Sequence, residues 1–472
     1  MAAESRGCRP AAYSRRHPEQ TILYRIVQQY LETYLMLSRE GDWDGPAVPA
    51  YVERDFRRYM ECGILAYGFA RAYCADCGRD FLVAFSCKGR AVCPSCNARR
   101  MAETAAHLVD HVFPPLPVRQ WVLSLPKRLR YFLKTNPAAV TAVLQILLRV
   151  IRQELVKRCP DAPENARLGA VSFIHRFGDA LNEHIHFHCC VIDALFYLDE
   201  GNLRISELPT LSQADIAAIQ TRVSQRVLRW FVRRGWLDPD EARAMRDWHN
   251  DGGFSLDATV RIPAWDRAGL ERLLRYCARP PFALDRLEAV DDEHLRYHLS
   301  KPQPDGTTEL SLSPLELIDR IAALVPPPRV HRHRYHGVLA PSSPLRPQVT
   351  ALAEETTGET LSRTDADETE GPDSLSRSPA RYLWATLIAR LFEFFPLTCA
   401  HCGAEMKIIA FVTEAPSVRT ILEHIGEPTR PPIVCAARGP PAGDDVPVEV
   451  DPDYDFLAQP EPEIEFDQRI QW

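Results

Sequence analysis

The stretch Leu181-Asn182-Glu183-His184-Ile185-His186-Phe187-His188-Cys189-Cys190-Val191-Ile192-Asp193 alternates three histidines with large apolar residues and then runs into an apolar segment. On a β-strand successive side chains point to opposite faces. His184, His186 and His188 therefore share one face, and Ile185, Phe187 and Cys189 share the other. One wall suits a core and the other carries imidazoles. A single histidine on a strand is usually a satisfied polar residue. Three at period 2 on a mostly buried strand each need a partner, and short His-rich tracts bind metal. The preceding AVSFIHRF (170–177) reads as a second strand, joined by Gly178-Asp179-Ala180 and antiparallel to the first.

On the N-terminal side, VRQWVLSLPKRLRYFLKTN suggests a strand from Val118, a turn at Pro126 and then an apolar-rich helix from Ala138 to Val156. Arg119, Lys127, Arg128, Arg130, Lys134, Arg149, Arg152, Lys157 and Arg158 stand there against one acid, Glu154. Tyr131 and Phe132 lie among them. Cations interleaved with aromatics suit single-stranded nucleic acid, and a solvated basic helix face is the competing reading. Arg128, Arg130 and Lys134 are the candidate DNA contacts here.

Further upstream, amphipathic helices are expected over 19–38 and 50–70 by their apolar spacing. Next come Cys74-x2-Cys77, fifteen residues, and Cys93-x2-Cys96. This spacing predicts a zinc ribbon in which two knuckles complete one tetrahedral site. Phe81, Val83 and Phe85 alternate in the insert as in a hairpin. Cys87 reads as a spare, and His107-x3-His111 as substitute ligands that four thiolates leave unneeded.

Downstream, a helix is expected over 212–235. In LERLLRYCARPPFALDRL, Leu270, Leu273, Leu274 and Cys277 form a helical stripe that Pro280-Pro281 stops. Tyr276 lies in the last turn with Arg272, Arg275 and Arg279 around it. A tyrosine at a helix end is usually packing. The cations change that weighting, because a phenol of pKa near 10 needs help to ionise and a phosphodiester needs neutralising. Strands are expected near 293–299 and 308–312, and a helix over 314–324. His331-Arg332-His333-Arg334-Tyr335-His336 reads as a basic loop, with Tyr335 a reserve nucleophile. Residues 345–379 have the composition of an acidic disordered linker. A helix and a lone knuckle, Cys399-x2-Cys402, follow, with His401, His424 or Cys435 as candidate completing ligands. The tail from 437 is acidic.

The length of 472 residues implies about three domains. The apolar and charged fractions, 46% and 25%, are those of a globular protein. The sequence has no membrane-length apolar run and no apolar signal core. With fourteen cysteines, reduced thiols and metal sites are expected in a cytoplasmic setting. The net charge of −7 argues against nucleic acid until its concentration in the linker and tail is noted.

The order of these motifs (a four-cysteine module, FIHRFGDALNEHIHFHCCVID, RYCARPPFALDRL, YHGVLAP and LTCAHCGAEMKIIAF) resembles the rolling-circle transposases of the insertion-sequence 91 family, in particular their common-region branch. The resemblance covers roughly 20–340 and 380–472. It implies an HUH nuclease, whose histidine pair maps onto His186 and His188, with His184 as an extra candidate and a third ligand from elsewhere. Tyr276 matches the nucleophile. Many relatives carry a second tyrosine four residues earlier, where this chain has Arg272, so the single-tyrosine branch fits.

The implied chemistry nicks and rejoins single-stranded DNA through a 5′-phosphotyrosine, with Mg2+ or Mn2+ at the histidines and structural Zn2+ at the cysteines. Arg272, Arg275 and Arg279 join the candidate DNA contacts. The expected fold is α+β: a helical and zinc-ribbon module, a central HUH-type antiparallel sheet with helices on one face, and a small C-terminal zinc-knuckle region. The expected boundaries are a lead at 1–17, a zinc-binding domain at 18–112, a nuclease domain at 113–344, a linker at 345–379, a C-terminal knuckle region at 380–436 and a tail at 437–472. A plasmid replication initiator or relaxase, and a His-x-His metal hydrolase, are the competing functions.

Overall fold

The computed structural model describes residues 16–40, 47–248, 253–303, 305–353, 399 and 401–438. The N-terminal lead, the helix expected after residue 379, most of the acidic linker and nearly all of the tail lie outside them.

The chain begins with helices α1 (Ile22–Glu40) and α2 (Ala50–Glu61). The second is shorter than its periodicity suggests. Gly63 and Gly68 follow it with φ of +82° and +109°, conformations that glycine reaches at little steric cost, and they turn the chain out of the helix. Strands β1 (Phe69–Cys74) and β2 (Asp80–Ala84) form a hairpin, and α3 (Pro94–His111) leads to β3 (Val118–Ser124). Helices α4 (Lys127–Thr135) and α5 (Pro137–Arg158) then connect to β4 (Gly169–Phe177) and β5 (Glu183–Ile192). The hairpin β6 (Ala194–Asp199)–β7 (Asn202–Glu207), helices α6 (Gln213–Arg233) and α7 (Pro239–Arg246), and short strands β8 (Ser255–Asp257) and β9 (Arg261–Ile262) follow. Next come α8 (Arg267–Cys277), strands β10 (Leu287–Ala289), β11 (Leu295–His298) and β12 (Glu309–Leu312), helix α9 (Pro314–Ala323) and β13 (His333–Gly337). Strand β14 (Met406–Val412) and helix α10 (Ala415–Ile425) complete the described elements.

The central sheet has the order β13-β4-β5-β3-β8, with β9 also on β3, and every pairing is antiparallel. Its apolar face, with Ile185, Phe187 and Cys189, is covered by α4–α7. Its other face is covered as well. Val171, Phe173, Cys190 and Ile192 pack there against Leu108 and Val109 of α3 and Leu270, Leu273 and Leu274 of α8. The expectation of helices on one face is therefore corrected. β3 is buried along its whole length, and a strand buried on both sides needs a layer on each.

Other expectations change for similar reasons. Residues 333–337 are not a loop but edge strand β13, paired with β4. Gly337 is required at its end, because a Cβ there would sit 1.7 Å from the Leu168 carbonyl oxygen. Residues 346–353 are helical, with Val349 buried in the core, so order extends past the start of the compositional linker. The three folded units expected in sequence are interleaved in space. Helices α1 and α2 share a core with Phe282, Leu295, Leu317 and Ile321, and β14 adds to β1 to make the three-stranded sheet β14-β1-β2. The segment after α10 lies along α1, where Cys435 N–H donates to the Gln28 carbonyl at 2.9 Å.

One buried ion pair ties the sheet together at the end of β5. Arg119 Nη2 lies 3.1 Å from Asp193 Oδ2, and both side chains are almost fully enclosed. Arg119 also donates to the Ala258 carbonyl at 2.9 Å, and Arg261 reaches the same carboxylate at 2.9 Å. Arg119 is thus structural, not a DNA contact. Removing the carboxylate strands a buried guanidinium, which costs about 3–5 kcal/mol. Asp193→Ala should lose that much in urea unfolding. A loss below about 1 kcal/mol would mean that the pair is effectively solvated.

Candidate metal centres and active site

The thiols form two clusters, and neither is the one that spacing predicts. Cys93 and Cys96 group with Cys62 and Cys87, whereas Cys74 and Cys77 group with Cys399 and Cys402. In the first, sulfur separations run from 3.5 to 3.6 Å (Cys62–Cys96, Cys62–Cys93, Cys87–Cys96). In the second they are 3.4 Å (Cys74–Cys402) and 3.5 Å (Cys77–Cys399). These exceed the disulfide length of about 2.05 Å and approach the roughly 3.8 Å edge of a tetrahedron with Zn–S near 2.3 Å.

Crowded thiols cannot all ionise without a cation. Hydrogen bonding from Cys87, then from Cys93 and Cys96, holds the Cys62 thiol far below its ordinary range, while hydrogen bonding with Cys62 pushes Cys93 far above it. A divalent ion resolves that conflict, so the donor sets fit structural zinc.

Cys87 is therefore a cluster member rather than a spare, and Cys62, at the end of α2, is a member that sequence reading missed. His401, His424 and Cys435 do not complete the C-terminal knuckle, because the N-terminal knuckle does so through the β1–β14 pairing. His107 and His111 pair with each other on α3, ring centroids 5.5 Å apart, outside both clusters.

The third donor group is His175, His186 and His188, one ligand nitrogen of each lying within 4.8 Å of the others. The hairpin register sets His175 of β4 opposite His186 of β5, so the neighbouring strand supplies the ligand that the His strand lacks. Each ring has one nitrogen anchored. His175 Nε2–H donates to the Cys277 carbonyl at 2.6 Å, and His186 Nδ1–H donates to the His184 carbonyl at 3.3 Å. His188 Nδ1 meets the Gln120 side-chain amide at 2.8 Å. Turned end for end, an isosteric change, that amide accepts Nδ1–H. With the amide so turned, the lone pairs left over are His175 Nδ1, His186 Nε2 and His188 Nε2. Of these, His175 Nδ1 and His188 Nε2 are buried with no hydrogen-bond partner.

Burial holds His175 and His188 well below the usual histidine range and His186 at about 4, with the Arg279 cation adding to each. All three are neutral imidazoles, the protonation state that a metal ligand requires. The set fits one divalent cation, with its ligands oriented by outer hydrogen bonds. His184 shares the face, its ring 5.0 Å from that of His186, but it falls outside the trio. Burial and Arg130 bring its pKa down to about 2.

Helix α8 lies across this face. Tyr276 stands with its ring 5.6 Å from that of His188 and with the Arg279 guanidinium 4.8 Å over it. Burial raises the phenol pKa, and Arg279 opposes the rise. Arg272 and Arg275 pair with Asp266 and Glu271. On α4, Arg128 pairs with Glu241 and Lys134 with Glu183, while Arg130 donates to the Leu125 carbonyl at 2.7 Å. Most candidate DNA-binding cations thus have intramolecular partners, and Arg279 is the one drawn into the histidine centre. Tyr335 sits on β13 against His333 and Arg346.

Two family models match the chain. Residues 169–346, which hold the histidine trio and Tyr276, match the family described as "Putative transposase". Residues 26–125 match the insertion-sequence-91 transposase zinc-binding domain. The chain thus carries a region similar to transposases and, ahead of it, a region similar to a transposase zinc-binding domain that contains six of the clustered cysteines, Cys62, Cys74, Cys77, Cys87, Cys93 and Cys96. The two matches together support the insertion-sequence-91 family. No curated protein and no solved structure matches the chain. Among the described residues, no helix is long and apolar enough to cross a membrane.

If the clusters hold one zinc each, Cys62→Ser and Cys399→Ser should each lower the zinc content of the purified protein by one per chain, and the double variant by two. Cys159→Ser, outside both clusters, should leave it unchanged. Elemental analysis by mass spectrometry checks this. A loss of the same single ion in the double variant as in either single variant would restore one shared site.

Proposed function

We propose that the chain nicks and rejoins single-stranded DNA during rolling-circle transposition, with Tyr276 as nucleophile and one Mg2+ or Mn2+ held by His175, His186 and His188. The observation that carries this reading is the convergence of three outward-anchored neutral imidazoles beneath a half-buried tyrosine and an arginine. When bound, the ion supplies Lewis-acid polarisation of the scissile phosphate. The remaining work belongs to the chain. Arg279 neutralises phosphate charge and favours the phenolate. Tyr276 Oη attacks phosphorus, forming a P–O bond to the 5′ side as the P–O3′ bond breaks. The phenol proton ends on the released 3′-hydroxyl. The resulting 5′-phosphotyrosine conserves the bond for rejoining.

Arg272 occupies the position one helical turn before Tyr276, which favours a single-tyrosine cycle at this site. The zinc-binding domain match favours a transposase over a replication initiator or relaxase that shares the same centre. A His-x-His hydrolase is disfavoured because the third histidine comes from an adjacent antiparallel strand rather than from a later unit of a strand-helix barrel.

Incubation with end-labelled single-stranded DNA carrying the element's ends and Mn2+ should give a covalent adduct stable to detergent. Tyr276→Phe should abolish it and Tyr335→Phe should retain it. His175→Ala should raise the Mn2+ concentration needed for half-maximal adduct by more than about tenfold, since even partners outside the ligand shell are worth that much. An adduct that persists in Tyr276→Phe and disappears in Tyr335→Phe would move the nucleophile to β13.

A further inference from the structure

A cavity of about 440 Å3, within the roughly 300–1,000 Å3 typical of ligand sites, adjoins the histidine centre and is lined by His175 but not by His186 or His188. Four separate parts of the chain wall it. Arg90 and Arg100 come from the zinc-binding module, Arg176 and Phe177 from the end of β4, and Arg279 and Arg332 from the segments after α8 and before β13. Among the described residues that line it, none is a carboxylate.

The arginines do not all have the same work. Arg90 donates to the carbonyls of Pro327 and Val330, which fixes the far wall. Arg332 is deeply enclosed and gives one N–H to Asn97 Oδ1 at 3.3 Å. Burial, with the Arg100 and Arg90 cations, brings its pKa down to about 10. Arg279 Nε is buried without a hydrogen-bond partner. The opposing charge on Arg90 and Arg332 is Asp55, whose carboxylate already accepts the backbone N–H groups of Arg90, Ala91 and Val92. Arg176 has Glu183 as its opposing charge and Arg334 as a repelling one. Unpaired buried cations are costly, and this concentration of them leaves a place for an anion. The ring of Phe177, stacked on His175 with centroids 4.9 Å apart, adds an aromatic surface to the same wall.

We infer that this cavity holds one nucleotide of single-stranded DNA next to the scissile phosphate, its phosphodiester on Arg176, Arg279 and Arg332. The inference rests on the nuclease reading for the identity of the strand, but the cavity belongs to the junction of the zinc module and the sheet. Binding of the zinc module to the sheet would thereby set which nucleotide is gripped beside the cleavage point.

The test uses full-length, zinc-loaded protein carrying Tyr276→Phe, so that no cleavage contributes. Anisotropy of a fluorescein-labelled single-stranded oligonucleotide is followed over a sodium chloride series. Each single-strand phosphate contact contributes a slope of about −0.7 in log affinity against log salt. Arg332→Gln and Arg176→Gln should each weaken binding and flatten the slope, by no more than about that amount because both grip the one phosphodiester. Arg332→Lys, which keeps the charge, should stay near the parent slope and shows that the site still folds. Arg204→Gln, on the exposed β6–β7 hairpin, should have no effect. Binding of the matching duplex, which cannot insert a nucleotide, should be unmoved by either glutamine variant. Unchanged single-strand slopes, or equal flattening with duplex, overturn the inference. Flattened single-strand slopes, where the protein with Tyr276 intact gives no adduct, would leave the pocket standing and remove the nuclease reading.

Discussion

The hydrogen bond from His175 Nε2 to the carbonyl of Cys277 joins two halves of the candidate site. It fixes the tautomer of His175, so that Nδ1 is the lone pair facing His186 and His188. It also uses the last turn of α8, one residue beyond Tyr276, as the acceptor. The orientation of the histidine centre and the placement of the tyrosine are thus a single constraint. α8 can take that position because the histidine face of the sheet is otherwise apolar. Cys190, Ile192, Val171 and Phe173 give Leu270, Leu273 and Leu274 something to pack against, and the packed helix carries Tyr276, with Arg279 just past its end, over the imidazoles.

The cysteine clusters play a comparable part for the rest of the chain. The Cys62–Cys87–Cys93–Cys96 group anchors the start of α3, and α3 forms part of the layer on the histidine face. The second group holds the hairpin β1–β2 to β14. The zinc-binding module is therefore continuous with the layer on the histidine face, through α3 and through the core that α1 and α2 share with α9.

The strand alternation from His184 to His188 was legible because a period of 2 leaves no choice about which side chains share a face. The role of Tyr276 as nucleophile was implied only by the family resemblance, whereas its place among arginines at a helix end was legible from the apolar stripe that Pro280-Pro281 stops. His175 was not, although its strand was read correctly, because its role depends on the hairpin register across Gly178–Asn182. That register includes an irregularity between His175 and Phe177. The cysteine pairing was misread because ligand spacing assumes that neighbouring knuckles share an ion. Here the β1–β14 ladder brings in a knuckle from the far end of the chain and leaves Cys93 and Cys96 to Cys62 and Cys87. The basic run from Arg119 to Arg158 looked open in sequence. Asp193, Glu241, Glu183 and Asp215 neutralise much of it, and none of these is a sequence neighbour of its partner.

Cys77 and Cys399 are separated by 322 residues. On a ribosome adding roughly 5–20 residues each second, about 15–65 s pass between the emergence of the first knuckle and that of the second. Throughout that interval β1 and β2 exist with half a ligand set and an unpaired edge. The central sheet, whose strands all lie between the two knuckles, is synthesised in the meantime. Closing so long a loop costs little more entropy than closing one of half the length. The expense is therefore one of time, set by how late the second knuckle follows the first.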